Sequence, residues 1–346
     1  MLPRMRLLRA PPGLPWRFPA AAALAAALLA TAAAPAAAAC LATSLHIPPS
    51  PRALAMAAAA RREHLAFGGQ TLDAEGRLIE AGYSEGEDTR GPERAMAPWQ
   101  RVLGYWQAVN SQDGRLPSAV RFGALRPASR ELLMQALNRA TAAHLQGLGV
   151  DAAQALESQD LRAVQTALDR VAVIDTPWSA AFVSWLARQA GLGADEFVFS
   201  EAHADYAGAA WRARADEAQG RSNPFALRAC ELARTPPRVG DLVCHARGDD
   251  ASFSTFEAIG PMLATRPTGG AALPMHCDVV VAVDAKGFDA VGGNVLQSVT
   301  LRRLAFAPRT RLLDPSYLPQ GCEAGARRCI DRHMSRAPWS LLLQWR

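Results

Sequence analysis

Apolar residues recur every three to four positions in 53–66 and again in 92–109, where Trp99, Val102, Leu103 and Trp106 share one side. Both stretches read as amphipathic helices. The segment between them, GGQTLDAEGRLIEAGYSEGEDTRGPE, is polar and glycine-rich, a loop with room for one hairpin. From 129 to about 173 the chain is rich in Ala, Leu and Gln, which predicts two or three further helices. The next stretch, DTPWSAAFVSWLARQAG over 175–191, carries its own start and stop signals. Asp175 and Thr176 are cap candidates, Pro177 suits the first helical position, and Gly191 suits the left-handed residue after the last turn. Another helix is expected to begin near Ser200.

The pattern changes after Pro236. RVGDLVCHA, HCDVVVAV, GFDAVGGN and SVTLRRLAF are short apolar runs separated by turn residues, which predicts an antiparallel meander. Helices first and strands second indicate an α+β fold, with N-terminal helices packed on a C-terminal antiparallel β-meander. In the hairpin from His276 to Asn294, a short loop around Asp284 to Gly287 sets His276 beside Asn294 within one residue of register. Side chains alternate along a strand, so Asp278 shares the face of His276 and Cys277 takes the other.

The first forty residues belong to neither pattern. Arg4, Arg6, Arg9 and Arg17 precede an Ala/Leu run and a string of small residues, the order of a secretory signal. Residues 1–39 are therefore expected to be a signal peptide, with a Pro-rich tether over 40–57 and a single domain over 58–346. Cys40 follows Ala37-Ala38-Ala39, a position where a lipid-bearing cysteine could tether the protein to a membrane; ordinary cleavage nearby is the alternative.

Charge then excludes one class of partner. The net charge of the chain is +5, but four of its arginines lie in the signal, where there is no acid. The remainder is nearly neutral and has no basic stripe, so nucleic-acid binding is not expected. Of the six cysteines, Cys230 with Cys244 and Cys322 with Cys329 are the preferred disulfide pairs, leaving Cys277 as a buried thiol. No cysteine pair has zinc-site spacing, and His276, Cys277 and Asp278 on one strand cannot converge on an ion, so neither a metal nor a cofactor is expected.

The chemistry is concentrated in 175–294. Ser179 falls in the first turn of its helix, on the face that carries Phe182, Val183 and Leu186. A hydroxyl there is either a satisfied polar group or a nucleophile. To act as the second it needs an oriented histidine as base and the free N–H groups of a helix start for the developing oxyanion. His276, oriented by Asn294, is the candidate base, with Asp278 the alternative orienting group. Trp178, His203, Tyr206 and Asp278 are candidates for lining a substrate groove; for Trp178 and the neighbouring tryptophans, plain core packing is the competing reading.

In order and spacing, TPWSAAFVSWLARQAG, VGDLV, HCDVVVAV and VGGN resemble the papain-like NlpC/CHAP group of bacterial cell-wall hydrolases. FGG, RVLGYW, SEAHADY and HCDVVVAV…GGNV are closer still to its serine-bearing branch, domain of unknown function 2272. The likeness covers about 58–110 and 173–306, with 111–172 as a helical insertion. It implies a papain-like fold, Ser179 as nucleophile, His276 as general base and Asn294 as its orienting partner. The group's enzymes carry cysteine where this chain has serine. The implied activity is hydrolysis of an amide or ester bond, with cell-wall peptide or another envelope compound as substrate. The alternative is a catalytically inactive papain-fold protein that binds such a peptide or a partner.

Overall fold

The computed structural model describes residues 36–88, 96–109, 176–247, 253–271, 273–319 and 337–346, with isolated positions between 139 and 174. The expected helices are present as α1 (Pro51–Ala66), α2 (Pro98–Val109), α3 (Ser179–Gln189) and α4 (His203–Ala218). A fifth, α5 (Phe256–Thr265), lies unexpectedly within the strand-rich half, its N-terminus capped by Thr255. Most of 129–173 and the 111–172 insertion fall outside the described residues.

Eight strands form one mixed sheet: β1 (Thr71–Leu72), β2 (Leu78–Glu80), β3 (Leu227–Glu231), β4 (Leu242–Ala246), β5 (Met275–Val283), β6 (Gly287–Val295), β7 (Ser298–Ala305) and β8 (Trp339–Trp345). Their order is β2-β1-β7-β6-β5-β4-β8-β3. The meander β5-β6-β7 is there. The rest corrects a simple C-terminal meander. β1 and β2 come from the glycine-rich stretch, and β1 runs parallel to β7. β3 precedes Pro236, and β8 is inserted between β4 and β3. All seven β8 residues are buried, so the strand lacks the alternation that reveals a half-exposed one.

Both faces of the sheet are covered. On one, Met56, Trp106, Trp178, Phe182 and Tyr206 from the helices pack against Cys277, Val279 and Val291. On the other, Val243, Val280, Phe288, Leu304, Trp339 and Leu342 form a second apolar layer closed by Leu313 and Tyr317. Trp178 is wholly buried among the rings of Phe67, Tyr105 and Phe182. Truncating such a residue typically costs about 3–5 kcal/mol.

Helix α3 ends as its sequence predicts. Gly191 adopts φ +75°, its N–H bonds Arg188 O at 2.9 Å, and Leu192 N bonds Ala187 O at 3.1 Å. Its start differs. The first helical residue is Ser179 rather than Pro177, Trp178 occupies the cap position, and no side chain caps the helix. Asp175 lies outside the described residues.

The disulfides are Cys40–Cys230 and Cys244–Cys277, which overturns the expected Cys230–Cys244 pair and the free Cys277. Topology gives the reason. β8 separates β3 from β4, whereas β4 and β5 are neighbours with Cys244 directly opposite Cys277, Cα to Cα 4.1 Å. Cys322 and Cys329 lie outside the described residues. Two disulfides indicate an oxidising, exported environment, and among the described residues no helix is long and apolar enough to cross a membrane.

The segment expected as a tether over 40–57 is docked on the domain, together with 36–39 from the end of the expected signal peptide. Residues 36–46 are helical, Cys40 is buried, and Gln344 Nε2 donates to Cys40 O at 3.0 Å. Ser44 Oγ donates to Pro236 O at 2.7 Å, Arg238 holds Ile47 O at 2.9 Å, and Ser50 caps α1. The Cys40 sulfur that a lipid thioether would use is bonded to Cys230 instead.

Candidate active site

Ser179 stands at the first residue of α3, where helix geometry leaves its own N–H and the next two without intrahelical partners. Its Oγ lies 2.7 Å from His203 Nε2. His203 is the first residue of α4, and Tyr206, one turn on, bonds its Nδ1 through the phenolic hydroxyl. Spacing of three on a helix brings the two side chains together. The chain thus supplies the serine with a histidine whose far nitrogen is held, but the histidine is His203, not His276.

His276 faces another set of groups. The β5–β6 pairing ends at Val279↔Val291; counted on from there, the register would set His276 opposite Asn294. The side chains nevertheless part. Asn294 has φ +55° at the irregularity where β6–β7 pairing shifts between Gly292 and Val295. Its amide donates to Glu85 Oε2 at 3.0 Å, the carboxylate that also accepts from Trp178 Nε1. The pairing of Asn294 with His276 is therefore corrected. The partner of His276 is Asp278, whose Oδ1 lies 2.7 Å from Nε2. Arg247 Nη2 donates to the other ring nitrogen at 2.6 Å, which places the ring proton on Nε2, donated to Asp278.

Alternation explains why Ser179 and His276 do not meet directly. Cys277 lies on the helix-covered face, as its disulfide and cluster show, so His276 and Asp278 belong to the opposite one. There Arg302 Nη1 sits 3.2 Å from Asp278 Oδ2, and the His245 ring is 4.7 Å from that of Trp339. His203 reaches this group at the beginning of β5, its ring 5.2 Å from that of His276; His245 is 5.6 Å from it on the other side. Gly292 makes the arrangement possible. A Cβ there would fall 1.9 Å from Asp278 Oδ1 and 3.0 Å from His276 Nε2.

Burial pushes all three imidazoles down. His203 and His276 titrate well below 6.5, for His203 with the His276 ring and then Arg247 adding to the effect, and for His276 with Arg247 and Arg302. His245 falls to about 3, through burial and then Arg302. Burial raises the Asp278 carboxyl, and Arg302 pulls it back. Burial, with Asp205 and Asp278 nearby, raises Tyr206 well above 10, so its hydroxyl stays neutral. A neutral His203 bonded to a serine hydroxyl is in the protonation state a general base requires.

The same shifts make a stability prediction. A histidine depressed in the folded state stabilises fully above its unfolded pKa, and loses that contribution as the pH falls below it. For His245 the window runs from 6.5 down to about 3, and the slope approaches about 1.4 kcal/mol per pH unit. Asp278 and Asp241 (raised to about 6) act in the opposite sense, so the difference between proteins is the readout. His245→Gln is expected to flatten the fall in urea-unfolding free energy between pH 6.5 and 4 by about that slope. An unchanged slope would show that His245 is not held neutral.

The placement of each candidate is now clear. Ser179, His203 and Tyr206 form one connected group, His276 and Asp278 a second one in ring contact with it, and Asn294 and Trp178 a third around Glu85. Arg247, Arg302, His245 and Glu85 were not legible as members. Among the described residues no group of His, Cys, Asp and Glu is arranged to hold a metal ion.

A serine bonded to a buried histidine at the start of a helix, over one end of a mixed sheet stapled by disulfides, defines a class: an α+β protein with a buried serine–histidine pair. The chain belongs to the family described as uncharacterized protein conserved in bacteria, domain of unknown function 2272, which matches residues 93–345. Neither a curated protein nor a solved structure matches it.

Proposed function

We propose that this protein is an exported hydrolase of amide or ester bonds, with a papain-like (NlpC/CHAP-like) fold and a cell-wall peptide as its natural substrate. The observation that carries the reading is the 2.7 Å contact between Ser179 Oγ and His203 Nε2 at the first residue of α3. Oγ attacks the scissile carbonyl while its proton passes to His203 Nε2, and the carbonyl oxygen becomes an oxyanion beside the N–H groups of the helix start. His203 returns the proton to the leaving amine or alkoxide, which departs with the broken bond. Water then attacks the acyl-serine, giving up its proton to His203, and the acid leaves with Oγ reprotonated. Tyr206 holds the ring in place. Asp278, two rings away through His276, supplies the negative charge that favours the transient imidazolium. In this reading His276 is a positioning residue, and Asn294 acts through Glu85 to anchor Trp178 beside the nucleophile.

One observation favours the alternative of a binding protein without catalysis: Ser179 is only 5% exposed and its hydroxyl is already satisfied. A fluorophosphonate probe separates the two. Labelling is expected at Ser179, mapped by peptide mass, and is expected to vanish in Ser179→Ala. A folded wild-type protein that resists the probe would replace the hydrolase with the binding module.

A further inference from the structure

Arg247 follows the last residue of β4, and its backbone N–H is fixed to Pro274 O at 2.9 Å. The side chain lies over the start of β5, where its one hydrogen bond among the described residues goes to the neutral His276 ring at 2.6 Å. No carboxylate lies within ion-pair distance of it among the described residues. Other buried and partly buried arginines are compensated. Arg101, Arg228 and Arg302 face Glu63, Glu217 and Asp278, while Arg188 and Arg214 lie over aromatic rings. Among the described residues Arg247 has neither kind of partner.

The charge around it does not balance. Asp278 is the acid of this cluster, and its two oxygens are directed at His276 and Arg302. Among the described residues, and with the three histidines neutral, the guanidinium of Arg247 is one positive charge in excess, in a position only partly open to water. A cation held this way is costly unless a counter-charge arrives. Its planar fork fits a carboxylate through two parallel bonds. The contacts that join Arg247 through His276 and His203 to Ser179 bound the separation at about 13 Å, no more than about four residues of extended chain.

We propose that Arg247 is the anchor for a carboxylate of the substrate. The compound taken by this site is then an acyl derivative bearing a free carboxylate within a few residues of the scissile carbonyl. This rests on the reading of Ser179 as the reacting end, but the charge argument for an anion stands on Arg247 itself.

The test reads binding without turnover, so that the two fail separately. N-acetyl-Ala-Ala with a free C-terminal carboxylate, and the same dipeptide as its C-terminal amide, are titrated into Ser179→Ala protein by calorimetry or NMR. The acid is expected to bind at least tenfold tighter than the amide. Arg247→Gln should erase that preference, and Arg247→Lys, which keeps the charge but not the fork, should retain a few-fold of it. Equal affinity for the two dipeptides, binding of neither, or a preference that survives Arg247→Gln would each overturn the proposal. Should Arg247→Gln not fold, the fall of the preference from at least tenfold to a few-fold in Arg247→Lys carries the decision, and an undiminished preference there overturns the proposal. Failure of the fluorophosphonate to label Ser179 bears on the hydrolase alone.

Discussion

Ser179→Ala and His203→Ala are each expected to lower kcat/KM on a cleavable amide or ester by about a thousandfold or more, and together by little beyond either alone. Non-additivity is the mark of two groups that act as a unit, as the 2.7 Å bond between them requires. His276→Gln should cost far less, about tenfold, since that ring has both nitrogens committed to Asp278 and Arg247 and takes no proton from the serine. The ranking inverts if His276 is the base, so the two single variants decide between the rings. The pH profile gives a second reading. His203 is pushed well below 6.5, so the base stays unprotonated at pH 6.5 and somewhat below it. The acid limb of kcat/KM is therefore expected to lie below pH 6.5. An apparent pKa at or above that value would remove His203 from the role.

Asp278→Ala is expected to destabilise the fold by about 3–5 kcal/mol, because it strips the counter-ion from buried Arg302 and the proton acceptor from His276. For a domain of this size that corresponds to a melting temperature lower by about 6–20 °C. The cost comes from leaving a charge uncompensated, and a double variant can show it. Arg302→Met in the Asp278→Ala background removes the orphaned guanidinium and should restore a large part of the loss. If both single variants and the double are equally unstable, packing rather than charge holds this face together. Gly292 belongs to the same argument, since a Cβ there would enter the space taken by the Asp278 carboxylate.

Local signals predicted what is local. The left-handed Gly191, the α4 start near His203 and the β5–β6 hairpin all follow from neighbours in sequence. The long-range choices were not legible. Whether Asp278 or Asn294 would serve His276 turned on a left-handed residue at a register shift, which no periodicity announces. That Ser179 would find His203 turned on which face of β5 the helices cover, and alternation alone leaves that open. The cysteine pairing failed for a like reason. Spacing favoured Cys230 with Cys244, while the insertion of β8 between their strands made them non-neighbours. Strands β3 and β8, buried along nearly all their length, offer no polar beat to read.

Position of β8 in the sheet has a consequence for how such a chain is made. Residues 339–345 occupy an interior slot, with β4 on one side and β3 on the other, and β1 waits for β7 across some 230 residues of sequence. A ribosome delivers these partners in the wrong order for early closure: β3 and β4 emerge with the place between them empty. Until the C-terminal strand arrives, neither can complete its ladder, and the apolar layers on the two faces have no common floor. High contact order of this kind slows collapse into the native state. The same late strand, once it arrives, joins the two halves of the sheet and locks it.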